Sequence, residues 1–308
     1  MTTRAAAESA SGLPGEFALC LTHDLDRPYK TYQWLADCVR ERSPAPLARA
    51  LAGENPYWQF ETVMELERAA GVRSAFYVLQ EPPLWAYDPV EWLRPTNWVE
   101  HAGRYDITAS PLRERIRELH RGGWEVGLHA SRLAARDPDR LAAEKRRLEA
   151  VLGDRVGGCR HHHLELGPET WANHRGVGLA YDASLGSPDT VGFQHGSRPF
   201  SPAGEFLVFP LTAMEVALPD PSERPDDARA AVDRLLEAAA EERAVATVLW
   251  HPRYFSADFP GYRELYRYLL ARAGELGAWM GPPRDLLEHP EFYTNPASRK
   301  RSRSPGRA

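Results

Sequence analysis

Lysine is nearly missing from this chain: only Lys30, Lys145 and Lys300 occur in 308 residues, and Arg carries the rest of the positive charge. The formal net charge is −5, so there is no basic excess of the kind that attracts nucleic acid. Cysteine is scarce too, and Cys20, Cys38 and Cys159 show no CxxC spacing. That odd count fits reduced thiols better than a disulfide framework, with Cys20 and Cys159 acting as small apolar residues in apolar runs. No run approaches the ~20 apolar residues that span a bilayer. The opening "MTTRAAAESASGLPGEF" has no apolar core of a secretory signal, so the expectation is a cytoplasmic protein with no membrane partner. A glycine-rich nucleotide turn is also missing: "HDLDRPYK" follows the first apolar run where such a turn would stand.

Short apolar runs are abundant. They fall at 17–22, 73–79, 124–129, 156–160, 179–183, 206–211, 244–250 and, weakly, 277–280. Most are apolar throughout rather than alternating, as in parallel strands buried on both faces. Helical patterns lie between them, at 60–70, from Ser110-Pro111 to Gly122-Gly123, and at 137–152, 224–242 and 261–275. The alternation predicts an α/β fold, a distorted (β/α) barrel of about seven parallel strands in a single domain over 15–290. Residues 1–14 and the basic tail 291–308 are expected to lie outside it as disordered segments.

In such a barrel, chemistry collects where strands end. There the chain places Asp24 and Asp26, His129, the run "CRHHHLEL" at 159–166, Asp182 and Ser184, and His251. Strand alternation points Asp24 and Asp26 the same way and His23 the opposite way. Two close carboxylates stay ionised when a cation or hydrogen bonds compensate them, and a divalent metal is the simplest compensation. Taken alone, the pair also reads as a solvated turn, His23 as a packed histidine, and each strand-end histidine as structural. Three consecutive imidazoles inside a chain are costly to pack outside a metal site, although only one or two of them can face a common centre.

These residues together resemble the polysaccharide deacetylase family (carbohydrate esterase family 4), metal-dependent esterases with a distorted barrel. The likeness rests on "THDLD", "GVRSAFYVL", "GWEVGLHAS", "CRHHHLEL", "YDASLGS" and "LWHP" in that order, over about residues 17–290. A divergent branch with HDxD and RxHxL motifs is the nearer likeness, and its "GF…G…RPF" loop is seen at 191–202. The resemblance implies Asp24 as catalytic base, Arg160 as the residue orienting it, His251 as general acid and Asp182 as the acid positioning His251. It implies Asp26 and His129 as ligands of one divalent metal ion, Zn²⁺ by preference. Two departures stand out: Leu25 separates the aspartates, and Leu133 occupies the usual place of a second metal histidine. The RxHxL pattern makes His162 the first choice for the missing ligand, with His163 second. Extended geometry, if it persisted, would put His161 and His163 on one face.

The function so implied is removal of an acetyl group from an N-acetylated sugar or related amide. Two other readings stay open: hydrolysis of another non-peptide C–N bond in a small metabolite, and an inactive barrel that binds a glycan or a partner. The aromatic-rich insertion at 80–109 suits sugar stacking or a small core of its own. Trp98, Tyr105 and His163 are the expected substrate contacts.

Overall fold

The computed structural model describes residues 15–290, so the two expected terminal segments, 1–14 and 291–308, lie outside the described residues. Its strands are β1 (Ala18–Leu25), β2 (Ala75–Leu79), β3 (Glu125–Ala130), β4 (Gly158–His161), β5 (Tyr181–Asp182), β6 (Phe200–Ala203), β7 (Phe206–Val208), β8 (Ala213–Met214), β9 (Val245–Leu249) and β10 (Trp279–Gly281). The helices are α1 (Gln33–Glu41), α2 (Ala45–Leu51), α3 (Phe60–Ala69), α4 (Pro95–Ala102), α5 (Leu112–Arg121), α6 (Pro138–Leu152), α7 (Thr170–Gly176), α8 (Pro225–Glu242), α9 (Tyr262–Glu275) and α10 (Pro283–Leu286). Among the described residues no helix is long and apolar enough to cross a membrane.

β1 to β5 are parallel neighbours in chain order, and β9 lies parallel on the other side of β1. One bent segment joins the two ends. β7 pairs with β5, β8 pairs with β9, and both pairings are parallel. Between them Phe209 N–H donates to the Asp182 carbonyl, Leu211 N–H to Leu185 and Thr212 N–H to Thr247, each at 2.8 Å. The sheet therefore curls through seven parallel positions, the distorted barrel that the apolar runs predict. β6 is an antiparallel flap on β7, and β10 pairs with Ala18–Cys20 of β1, below the stretch that β2 covers.

Alternation along each strand divides the core in two. Phe17, Leu19, Leu21 and Leu25 face outward under the helices, whereas Ala18 and Cys20 point inward with Tyr77, Tyr181 and Phe209. Two glycines make room for the inner rings. A Cβ on Gly127 would lie 2.4 Å from the Tyr77 ring, and one on Gly158 would lie 2.2 Å from the Tyr181 hydroxyl. The two hydroxyls meet at 3.0 Å across the barrel.

The helix punctuation holds in part. α6 starts on the Asp137 side chain, which accepts the Arg140 N–H, and stops at Gly153 in the left-handed region. Ser110-Pro111 does not cap α5: the helix opens at Leu112, and the Ser110 hydroxyl donates instead to Glu114. α1, α2, α4, α7 and α10 lie outside the helical patterns of the sequence; each is nine residues or shorter, too short for a 3.6-residue period to stand out.

Candidate active site

The C-terminal ends of the parallel strands open into a cavity of about 410 Å³. Asp24 and Asp26 enter it from the end of β1, while Leu25 between them is buried in the outer core. The inserted leucine thus acts as a spacer that keeps both carboxylates on one face. His23 points away and is held by the Trp250 carbonyl and Glu67, so it has a structural setting.

Arg160 is fully buried beneath the carboxylates. Its Nη1 donates to Asp24 Oδ1 at 2.9 Å and to Thr22 Oγ1 at 2.8 Å, and its Nε donates to the Ala183 carbonyl at 2.8 Å. The guanidinium also lies over the Tyr77 ring, 4.7 Å from its centroid. These contacts fix Asp24 and compensate its charge in a place where a lone carboxylate would be costly.

His129, at the end of β3, donates from Nδ1 to the Arg160 carbonyl at 2.8 Å. Its Nε2 then faces Asp26 Oδ1 at 3.1 Å. With Nδ1 carrying the hydrogen, Nε2 of a neutral ring presents a lone pair to a carboxylate oxygen. That meeting is stable only with a second proton or a cation on the line. Burial opposes the extra charge, but Asp24 and Asp26 lift this imidazole above its usual range. Asp26 is shifted the other way: burial raises it, yet His251, His129 and Arg253 together hold it well below the usual carboxylate range.

His162 follows β4 in a short 3-10 turn, His162–Leu164. Its Nδ1 lies 3.2 Å from Glu81 Oε2, which leaves Nε2 free. One donor atom each from Asp26, His129 and His162 fall within 4.8 Å of one another. A carboxylate with two imidazoles, each imidazole held from behind by an oxygen acceptor, is a donor set that fits a catalytic divalent ion.

The three consecutive histidines go three ways. Extended geometry ends at His161, because His163 and Leu164 take positive φ values of 59° and 56°. His161 and His163 therefore do not share a face. His161 points outward to α7, where its Nε2 meets His174 Nε2 at 2.9 Å. His163 turns to the rim and pairs with Glu100 Oε1 at 2.6 Å.

His251 closes the opposite side of the cavity. Its Nε2 lies 3.1 Å from Asp26 Oδ2, and its Nδ1 donates to Glu215 Oε1 at 2.6 Å. Burial works against the charged ring and Arg253 repels it, but Glu215 and Asp26 prevail and push its pKa up to about 9. Asp182, expected to position His251, does not reach it. Side chains alternate on β5, so Asp182 faces away from the Tyr181 side and accepts the Ser184 N–H and hydroxyl at 3.0 and 2.6 Å. The carboxylate on His251 is Glu215, just after β8. No motif marked it: it is a lone acid in the apolar run "AMEVAL".

Of the expected substrate contacts, His163 lines the cavity, while Trp98 and Tyr105 do not. Trp98 is 55% exposed, with its indole N–H on the Trp92 carbonyl. Tyr105 accepts the Leu79 N–H at 3.0 Å and donates to the Leu25 carbonyl, stapling the insertion to the ends of β1 and β2. The aromatic lining comes instead from Tyr32 and Tyr57, and Arg27 and Arg253 add positive charge. Arg253 Nη1 donates to Asp26 Oδ2 at 3.0 Å. Its signal in sequence was its place directly after "LWHP".

No family profile and no curated protein matches the chain. Solved structures do. A Mycobacterium smegmatis protein assigned to the polysaccharide deacetylases is 18% identical, with 98% of each chain covered and a TM-score of 0.57. A Pseudomonas aeruginosa PAO1 protein assigned to the same group is 13% identical, with 90% of this chain and 92% of that one covered and a TM-score of 0.57. Puue allantoinase is 13% identical over 91% of this chain and 93% of its own, again with a TM-score of 0.57. At these identities the likeness is one of architecture, and the chain has the fold of the polysaccharide deacetylases.

Proposed function

We propose that this chain is a metal-dependent hydrolase that releases an acetyl group from an N-acetylated sugar or a related amide. The observation that carries the reading is the 3.1 Å approach of Asp26 Oδ1 to His129 Nε2, with Nδ1 of His129 already engaged. Asp26, His129 and His162 would hold one divalent ion, with Zn²⁺ preferred by the nitrogen-rich donor set. When bound, the ion supplies Lewis-acid polarisation of the acyl carbonyl and an acidified water.

The remaining steps belong to the chain. Asp24, aimed by the Arg160 guanidinium on its Oδ1, accepts the proton of the attacking water at Oδ2. His251 stands across the cavity with its Nε2 toward the reacting centre, and Glu215 keeps it protonated at neutral pH. It donates that proton to the departing amine nitrogen. Arg160, buried and bonded on three sides, prevents Asp24 from turning away between cycles.

A second reading keeps the machinery and changes the substrate. The cavity of about 410 Å³ suits a small molecule, and an allantoinase shares the fold. The same groups would then open another non-peptide C–N bond. Acetate release from N-acetylated amino sugars, measured beside ammonia or amine release from small amides, separates the two. Purified protein should hold a divalent ion that Asp26→Ala and His129→Ala abolish. If both variants keep full metal content and unaltered stability, neither reading stands.

A further inference from the structure

The outer face of β4 carries a second cluster that the reaction does not use. Cys159 and His161 flank the inward Arg160 and so project to the opposite side of the strand. Asp182 is the register partner of Cys159 on β5, and His174 comes down from α7. All four are fully buried. The Cys159 thiol and one nitrogen of each imidazole lie within 4.8 Å of one another. The two rings stack at 5.0 Å with an interplanar angle of 16°. Their Nε2 atoms are 2.9 Å apart, which leaves room for one proton at most, so at least one of them presents a lone pair. His174 Nδ1 has no hydrogen-bond partner and faces Asp182 Oδ2 at 3.5 Å.

We propose that Cys159, His161 and His174 form a second, structural metal site for a zinc-like divalent ion, with Asp182 orienting His174 from behind. Thiolate and imidazole are the donor types zinc selects, and with three protein donors the fourth position of its tetrahedron falls to a water. A C-x-H pair on one strand sends both donors to one side, and a carboxylate behind a ligating imidazole is the usual supporting partner. Charge favours the same assignment. One divalent ion, one thiolate and one carboxylate sum to zero, which suits a site closed to solvent. Binding releases the thiol proton to solvent. The ion ties α7 to β4 and β5 behind Arg160 and the turn that carries His162, on the far side of the strand from the cavity. It therefore braces the catalytic groups without touching substrate.

The test uses the full-length protein, stripped of metal and reloaded with Co²⁺. A thiolate-to-cobalt charge-transfer band in the near ultraviolet is expected in the wild type. It should persist in His129→Ala and vanish in Cys159→Ser and in His174→Gln, with folding of each variant checked by circular dichroism. Native mass spectrometry should count two ions in the wild type and one in His129→Ala. A wild type without the band overturns the proposal, and so does a band that survives Cys159→Ser or disappears in His129→Ala. Should both outer-site variants fail to fold, the band and ion count of the wild type and His129→Ala decide alone. A single ion lost only through His129 sinks this site and leaves the proposed reaction standing. A single thiolate-bound ion indifferent to His129 does the reverse.

Discussion

Glu215 Oε1 lies 2.6 Å from Nδ1 of His251, and both side chains are buried. The proposed general acid is thus held by a residue just after the strand that closes the barrel, not by Asp182 two positions away around the sheet. Glu215→Gln preserves the shape and removes the charge that keeps His251 protonated. Its kcat should fall about 10²-fold, the low end for loss of general-acid catalysis, and its alkaline limb should move to lower pH. Asp182→Asn should leave that limb in place and instead lower the melting temperature. Profiles of kcat against pH for the two variants decide, and the opposite pattern would return the role to Asp182.

Glu81 holds Nδ1 of His162, the same service that the Arg160 carbonyl performs for His129. Glu81→Gln should weaken metal binding about 10–100-fold, the usual effect of losing a supporting partner. His162→Ala should lose the active-site ion. His163→Ala should keep it, because its imidazole sits on the rim against Glu100 and is 55% exposed. Competition with a chelator of known affinity measures all three, and full retention by His162→Ala would reassign the third ligand.

How far the site could be read from sequence follows from what each residue depends on. Asp24, Asp26, His129 and His251 end buried strands, and a period of two fixes which way such residues point. The barrel was legible because its strands are buried along their whole length and so read as mostly apolar runs. Glu215 was not legible, because β8 is two residues long and its acid stands in no spaced motif. The histidine run misled where local backbone overrode periodicity: positive φ at His163 turns it away from the face of His161. Asp182 was placed by motif position, yet the strand that carries it presents it to α7. Aromatic abundance marked the 80–109 insertion, but Tyr57 reaches the cavity from a separate aromatic run, "YWQF" at 57–60.

Gly127 and Gly158 leave the barrel interior open for the Tyr77 and Tyr181 rings. Alanine at either position forces a ring off its rotamer or a strand outward, at a cost of about 1–3 kcal/mol. Gly157→Ala is the control: its Cβ would meet only Ala180 Cβ, at an ordinary 3.8 Å. Chemical denaturation should show Gly127→Ala and Gly158→Ala clearly destabilised and Gly157→Ala close to wild type. Equal stabilities for all three would mean that the barrel interior has slack there.

Glu125 lies on the inner face at the start of β3 and is 3% exposed. Burial pushes its carboxyl from an ordinary value near 4.5 up to about 7, while Arg284 and the Tyr181 hydroxyl pull the other way and Asp285 adds to the rise. The folded state therefore holds a proton that the unfolded chain has lost between those two values. Stability is full below pH 4.5 and falls as pH rises through the folded value near 7. The loss is on the order of 3 kcal/mol once the carboxylate is forced to ionise in place. Glu125→Gln imitates the protonated form, so the variant should gain on the wild type across this range and hold a constant advantage above it. Denaturant unfolding of both proteins from pH 4.5 to 8 measures the difference. Parallel curves would mean that Glu125 does not titrate in the fold.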